Sequence, residues 1–257
     1  MIITTDEERE VFRSAGKHLR SVLDAVIAES RAGVSAADLD SLANKEITAR
    51  DCQPSFLNYK PGGSSRAFPA TLCVSVNNEV VHGIPHREKV LKDGDVVSLD
   101  CGLIYQGVYV DTACTTIIGA GSPEARKLVD ATRKASGYAM MFVHSGSTTD
   151  AIGSAVEGTA REYNFTVPPE LGGHGVGAAQ HEDPFIPNIG GTKGVQLQEG
   201  QVVAIEPIFF SGKDPRVVTS DDGFTIETAD GSLSAHFEHT VIVQGDKAPE
   251  IITGPLW

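Results

Sequence analysis

Asp100 and Asp111 lie on two short apolar runs, Val96 to Cys101 and Val108 to Thr112, separated by turn chemistry at Tyr105, Gln106 and Gly107. A hairpin folded about Tyr105 and Gln106 sets the two aspartates directly opposite each other. Opposed Cβ atoms are about 5 Å apart, and like charges there repel. No Lys or Arg occurs between Asp95 and Ala120. A bound cation is then the partner that the local sequence calls for, and the hairpin reads as half of a metal cradle.

The other half repeats the pattern. Leu91-Lys-Asp-Gly-Asp-Val-Val-Ser-Leu-Asp100 has an echo in Leu197-Gln-Glu-Gly-Gln-Val-Val-Ala-Ile-Glu206, which sets Glu206 in register with Asp100. Val110-Asp111-Thr112 finds a weaker counterpart at Phe237-Glu238-His239, and His82-Gly-Ile-Pro85 at His181-Glu-Asp-Pro184. One copy of glycine, two valines and an acid is a common turn and strand start. Two copies with matching acids downstream imply similar halves about a pseudo-twofold axis, with the carboxylates converging on it.

Among the eight histidines, His174 stands in Leu171-Gly-Gly-His-Gly-Val-Gly177, where flanking glycines let the backbone approach a site closely. His181 follows seven residues on, and His82 precedes the first acid. These three stay as functional candidates. His18, His86 and His144 read as surface or turn residues, and His236 and His239 as structural, His236 the less firmly. His181-Glu-Asp-Pro184 is not HExxH, which excludes the zincin arrangement.

The elements that must position these residues follow from periodicity. Thr5 caps a helix with Val11, Ala15, Leu19, Leu23 and Val26 on one face, and Ser35 starts a second with Ala36, Leu39, Leu42, Ala43 and Ile47. Residues 52 to 69, rich in Pro, Gly and Ser, read as a long loop. Strands are predicted at about 71 to 77, 95 to 101 and 107 to 118. The order then restarts, with helices at 123 to 143 and 149 to 163, a Gly-rich stretch at 172 to 177, and strands near 201 to 209, 215 to 219, 223 to 227 and 236 to 244. A single domain over 1–257 is expected, with half-repeats of about 1–120 and 121–257.

The formal net charge of -13, with no basic run, argues against nucleic acid or an anionic membrane as the main partner. The acidic start, Met1-Ile-Ile-Thr-Thr-Asp-Glu-Glu, is unlike a signal peptide, and no apolar run reaches about 18 residues. A cytoplasmic protein is expected. Cys52, Cys73, Cys101 and Cys114 show no CxxC spacing and read as buried free thiols.

Six stretches carry a family pattern: Asn78-Glu-Val-Val-His-Gly-Ile-Pro85, Asp93-Gly-Asp-Val-Val-Ser-Leu-Asp100, Gly173-His-Gly-Val-Gly177, His181-Glu-Asp-Pro184, Ala204-Ile-Glu-Pro207 and Ser232-Leu-Ser-Ala-His-Phe-Glu-His-Thr240. On these the chain resembles the type I methionine aminopeptidases of the pita-bread metallopeptidases over nearly its whole length. The resemblance implies an α+β fold, with two pseudo-twofold-related halves of antiparallel sheet covered by helices. It also implies two divalent cations (Co, Mn, Fe(II) or Zn), with Asp111 and Glu238 bridging both, Asp100 on one, and His174 and Glu206 on the other. Such a pair activates water for attack on the scissile amide. Glu206 would also serve as general base, His181 would contact the scissile carbonyl, and His82 would position the amide. The implied partners are N-termini of nascent proteins or peptides, met by a monomer.

Three positions depart from the family pattern. Ala178, Ala179 and Gln180 stand where an Arg and then an aromatic are usual. Ser65-Arg-Ala-Phe68 replaces Tyr-x-Gly-aromatic, and Phe224 stands where Trp is frequent. Phe68 and Cys73 keep part of the expected methionine pocket. A buried amide at 180 against a thioether would cost about 1–3 kcal/mol, so Gln180 either turns away or makes the pocket wetter. Two alternatives stay open: another exopeptidase on this scaffold, such as an Xaa-Pro aminopeptidase, and a non-catalytic binding protein.

Overall fold

The computed structural model describes residues 1–60 and 66–255. Pro61, Gly62, Gly63, Ser64 and Ser65 of the expected loop lie outside the described residues. Helices α1 (Asp6–Glu29) and α2 (Ala36–Thr48) start at Thr5 and Ser35, whose side chains accept from the amides of Glu8 and Asp38. Helices α3 (Pro123–Met140) and α4 (Thr149–Tyr163) are capped in the same way by Ser122 and Thr148. Each cap satisfies a backbone donor that the helix start leaves open.

In chain order the strands are β1 (Gln53–Pro54), β2 (Leu72–Val76), β3 (Glu79–Val81), β4 (Val96–Tyr105), β5 (Val108–Ile117), β6 (Gly172–Gly175) and β7 (Glu182–Pro187). There follow β8 (Val202–Ile205), β9 (Ile208–Phe210), β10 (Val217–Thr219), β11 (Ile226–Thr228), β12 (Ser234–His236), β13 (Glu238–Ile242) and β14 (Glu250–Ile251). The main sheet runs β1-β4-β5-β13-β8-β6-β7, with β2 also on β4 and β14 on β13. Its centre is symmetric: β2, β4 and β5 on one side face β13, β8 and β6 on the other. All these pairings are antiparallel, so the whole agrees with an α+β pita-bread architecture.

Two apolar cores lie under the helices. One joins Phe12, Leu19 and Leu23 of α1 and Leu39 of α2 to Leu72, Leu99 and Leu103 of the first half-sheet. The other joins Leu128, Ile152 and Val156 of α3 and α4 to Val203, Ile205 and Val241. Among the described residues no helix is long and apolar enough to cross a membrane.

Several elements differ from the sequence expectation. The strand expected at 201 to 209 is interrupted by Glu206-Pro207, and that expected at 236 to 244 by Phe237. Each interruption falls at or beside an acid of the cluster, Glu206 and Glu238. The Gly-rich stretch is itself a strand, β6, because glycines 172, 173 and 175 bring the backbone close to the carbonyls of Ile186, Ala204 and Asp183. The hairpin turns at Gln106 and Gly107, with φ of 48° and 85°, the left-handed pair of a two-residue turn. Asp100 therefore pairs with Ala113, and Asp111 with Gly102. The aspartates sit diagonally across the hairpin instead of directly opposed.

Gly16 tests how tightly α1 is seated. A Cβ there would fall 2.0 Å from the carbonyl oxygen of Ile252. Alanine gains about 1 kcal/mol of helix propensity over glycine, but backbone displacement of this kind costs about 1–3 kcal/mol. Gly16→Ala should destabilise, lowering the melting temperature by about 2–8 °C in calorimetry; a rise would show that the helix floats freely over the C-terminal segment.

Candidate active site

Four strands bring the acids together. Asp100 lies on β4, Asp111 on β5, Glu238 at the start of β13, and Glu206 directly after β8. The seam between β5 and β13 has only two paired positions, Glu238 with Ala113 and His239 with Thr112. Hydroxyls supply the missing rungs. Thr240 Oγ1 accepts from the Asp111 amide at 2.9 Å and donates to the Asp111 carbonyl at 2.7 Å. Thr112 Oγ1 donates to the Glu238 carbonyl at 2.7 Å. Thr115 Oγ1 donates to the His236 carbonyl and accepts from its amide. These bonds fix the backbone on both sides of Asp111 and Glu238.

His174 joins the acids from β6. Its Nδ1 lies 2.9 Å from the carbonyl oxygen of Gly175. A carbonyl can only accept, so Nδ1 bears a proton and Nε2 is the nitrogen offered to the acids. That Nε2 is 3.7 Å from Glu238 Oε1. One ligating atom each from Asp111, His174 and Glu238 lies within 4.8 Å of the others.

Charge makes this cluster costly without a cation. Burial, together with Asp100 and Glu206, pushes the Asp111 carboxyl well above the usual range. Glu238 is raised likewise, by burial and then by Asp111, Glu206 and Asp100. Asp100 is pushed up to about 7, chiefly by burial and against the pull of His236. For Glu206 burial also works upward, but His236, with smaller help from His174 and His82, outweighs it and holds the carboxyl below its ordinary value. Asp100 Oδ1 and Asp111 Oδ1 are buried with no hydrogen-bond partner among the described residues. Buried carboxylate oxygens without donors beside the Nε2 of an imidazole fit a hard or borderline divalent cation. The residues that could hold one are Asp100, Asp111, His174, Glu206 and Glu238.

The remaining candidates line one cavity of about 860 Å³ that includes His82, His181, Phe68, Cys73 and Phe224. His82 has a left-handed backbone, φ 58°, a conformation held at some cost for a residue with a Cβ. The His181 ring packs edge-on to His174, centroids 4.4 Å apart, and its Nδ1 lies 2.8 Å from the Tyr59 hydroxyl. Burial in the cleft and then His174 draw its pKa down to about 4. Although the ring remains open to the cleft, both influences act in the same direction, toward a neutral imidazole at pH 7. Phe68 meets Phe224 in a T-shaped contact at 5.5 Å, and with Phe56 and Cys73 they form an apolar wall.

Gln180 stands apart from these. Expected beside the substrate side chain, it is 1% exposed, does not line the cavity, and donates from Nε2 to Asp111 Oδ2. The amide has found a carboxylate, which removes the cost of facing a thioether.

Three contributors escaped the sequence reading. His236, read as structural, is buried with Nε2 2.9 Å from Glu206 Oε1. The contact lacks hydrogen-bond alignment and acts through charge: burial opposes the imidazolium, yet Glu206 wins and the pKa is raised. Tyr59 lies nine residues before Phe68 in the sequence, outside the spacing of a Tyr-x-Gly-aromatic pattern. Mutual backbone bonds, Asn58 N to the Phe68 carbonyl and Phe68 N to the Tyr59 carbonyl, set it beside Phe68 across the intervening segment. Phe56 carried only the signal of an isolated aromatic in a loop.

The sequence profile of metallopeptidase family M24 matches residues 10–245. The chain belongs to metallopeptidase family M24. Within that family, the methionine aminopeptidase of Aquifex aeolicus is 45% identical over 252 residues, 97% of each chain. That of Clostridium acetobutylicum is 39% identical over 98% of each. The crystal structure of methionine aminopeptidase from Thermotoga maritima superposes with a TM-score of 0.91 at 40% identity, covering 99% of this chain and 100% of that one. An Xaa-Pro dipeptidase from Bacillus anthracis shares the fold, with a TM-score of 0.77 at 20% identity, and this chain spans 63% of it.

The carboxyl shifts set a pH dependence for the metal-free protein. An acid whose folded pKa is raised binds more protons folded than unfolded between its two pKa values, so stability is present below the unfolded pKa and is lost as pH rises through the folded one. With Asp100 shifted from 3.8 to about 7, raising the pH from 4 to 8 should cost the metal-free chain at least about 1 kcal/mol, or about 2–4 °C in melting temperature. Divalent cation should restore it. A metal-free melting temperature that climbs over this window would contradict the raised acids.

Proposed function

We propose that the chain is a metal-dependent aminopeptidase that removes methionine from the N-terminus of proteins and peptides. The observation that carries this reading is the convergence of Asp111, His174 and Glu238 ligating atoms within 4.8 Å on the acidic side of an aromatic-walled cavity. It occurs in a chain whose full-length relatives at 35–45% identity are named methionine aminopeptidases.

Asp100, Asp111, His174, Glu206 and Glu238 would hold two divalent cations, which when bound offset the carboxylate charge and make water nucleophilic near neutral pH. Glu206 accepts the proton of the attacking water, and His236 beside it steadies the ionised form that can do so. His181 donates from Nε2 to the oxygen of the scissile carbonyl as negative charge gathers there. For that, its Nδ1 must accept, and the Tyr59 hydroxyl at 2.8 Å is the donor that would select this tautomer. His82, which lines the same cavity, orients the amide. Phe56, Phe68, Cys73 and Phe224 receive the unbranched thioether side chain through apolar and sulfur–aromatic contact. A free α-amine suits the acidic end of the cleft, which limits cleavage to one residue.

Activity on a panel of Met-Ala, Leu-Ala and Xaa-Pro peptides, after loading with Mn, Co, Fe(II) or Zn, tests the reading. Release of methionine from Met-Ala is expected to dominate; cleavage confined to Xaa-Pro starts would replace it with the other exopeptidase. Asp111→Asn should abolish the metal-dependent activity, since an amide cannot carry the bridging charge. His181→Ala should leave metal content near wild type and cut kcat about a hundredfold, the scale for losing one donor to a developing oxyanion. Loss of metal in that variant would make His181 a ligand instead.

A further inference from the structure

Gln180 occupies a place where an amide is hard to justify as packing. It is 1% exposed, yet it lies against a carboxylate, and its Oε1 has no hydrogen-bond partner among the described residues. We propose that Gln180 is a positioning residue that aims the Asp111 carboxylate at the bound cations. This rests on the reading of Asp111 as a ligand.

The path of the side chain explains how it arrives. Gly102 is the cross-strand partner of Asp111, and its absent side chain leaves a gap beside that aspartate. A Cβ at 102 would come within 3.3 Å of Gln180 Oε1, 2.8 Å of Phe56 Cε1 and 2.2 Å of Ser55 Oγ. Gln180 fills the gap from its own segment and reaches Asp111 Oδ2 with Nε2. Ser55, held to the Gly102 carbonyl through its amide at 3.2 Å, faces the same gap with a hydroxyl that is also unpartnered. A hydroxyl donor and an amide acceptor around one gap are complementary in kind, and a single bridging water would let Ser55 anchor the far end of the amide.

The orientation is fixed by charge. Against the ionised carboxylate that a bound cation would hold, only the N–H side of the amide is stable, because Oε1 would meet Oδ2 as acceptor against acceptor. One N–H uses one lone pair of Oδ2 and leaves the other for a cation. The amide is neutral, so it orders the ligand without drawing charge away from the metal, as hydrogen-bonded partners of ligating carboxylates do. The same reach takes residue 180 out of the cavity wall, leaving the apolar side of the pocket to Phe56, Phe68, Cys73 and Phe224.

Mn²⁺ titration of the metal-depleted chain by calorimetry, with electron paramagnetic resonance reporting coupling between paired ions, tests the assignment. Gln180→Leu keeps volume and removes the donor. It should weaken Mn²⁺ binding about 10–100-fold and reduce the coupled-pair signal, while metal-free unfolding stays close to wild type. Gln180→Met, a more adaptable side chain, should behave alike and decides the matter if the leucine variant does not fold. Affinity and coupling unchanged in the folded variants would overturn the role, and tighter binding would instead show the amide occupying the cation's place. Failure of the wild-type chain to bind Mn²⁺ at all would overturn the metallopeptidase reading, which separates the two failures.

Discussion

Three buried carboxylates and the half-buried Glu206, with no Lys or Arg among the described residues lining their cavity, set the terms for the rest of the molecule. Their repulsion grows as water is excluded, so the backbone that carries them must resist being pushed apart. The sheet answers with hydroxyls where its ladder runs out: Thr112 and Thr240 tie β5 to β13 at the two acids. The helices are layered outside on two apolar cores, which keeps their polar faces away from the cluster. What the fold itself leaves unbalanced is charge, and that remainder is what a divalent cation would offset.

The imidazoles divide according to what their second nitrogen meets. His174 is committed by a carbonyl to carry a proton on Nδ1, which leaves Nε2 turned toward Glu238. His181 is offered a hydroxyl, which can donate or accept, so its tautomer can follow the needs of a bound carbonyl. His236 faces Glu206 and takes on positive character. Three similar side chains on one cleft thus carry three protonation behaviours, each set by a neighbour instead of by the ring itself.

Much of this was legible in the chain because the informative residues are punctuation and charge. The repeated Gly-x-Val-Val-x-x-acid pattern marked Asp100 and Glu206, and the glycines around His174 marked a close approach. Register was not legible. A turn centred one residue later, at Gln106-Gly107 instead of Tyr105-Gln106, moves every cross-strand partner by two, so Asp111 faces Gly102. Strand alternation held across the break at Phe237: His236 and Glu238, two residues apart, both reach the site, while His239 turns away to Thr253. Tyr59 and Gln180 were misjudged for a related reason: sequence counting places a residue along the chain, whereas a backbone closure at Phe68 or a missing side chain at Gly102 decides where it arrives.

The seam between β5 and β13 joins residues 126 and 129 positions apart in sequence. During synthesis, domains generally fold as units while the chain emerges at about 5–20 residues per second. Glu238 and Thr240 therefore reach the assembling sheet only after the segments that carry Asp100, Asp111, His174 and Glu206. Until then Asp111 lacks the threonine that ties its backbone in place, and an ion captured early would be held weakly. A divalent cation would close the finished sheet in the manner of a keystone.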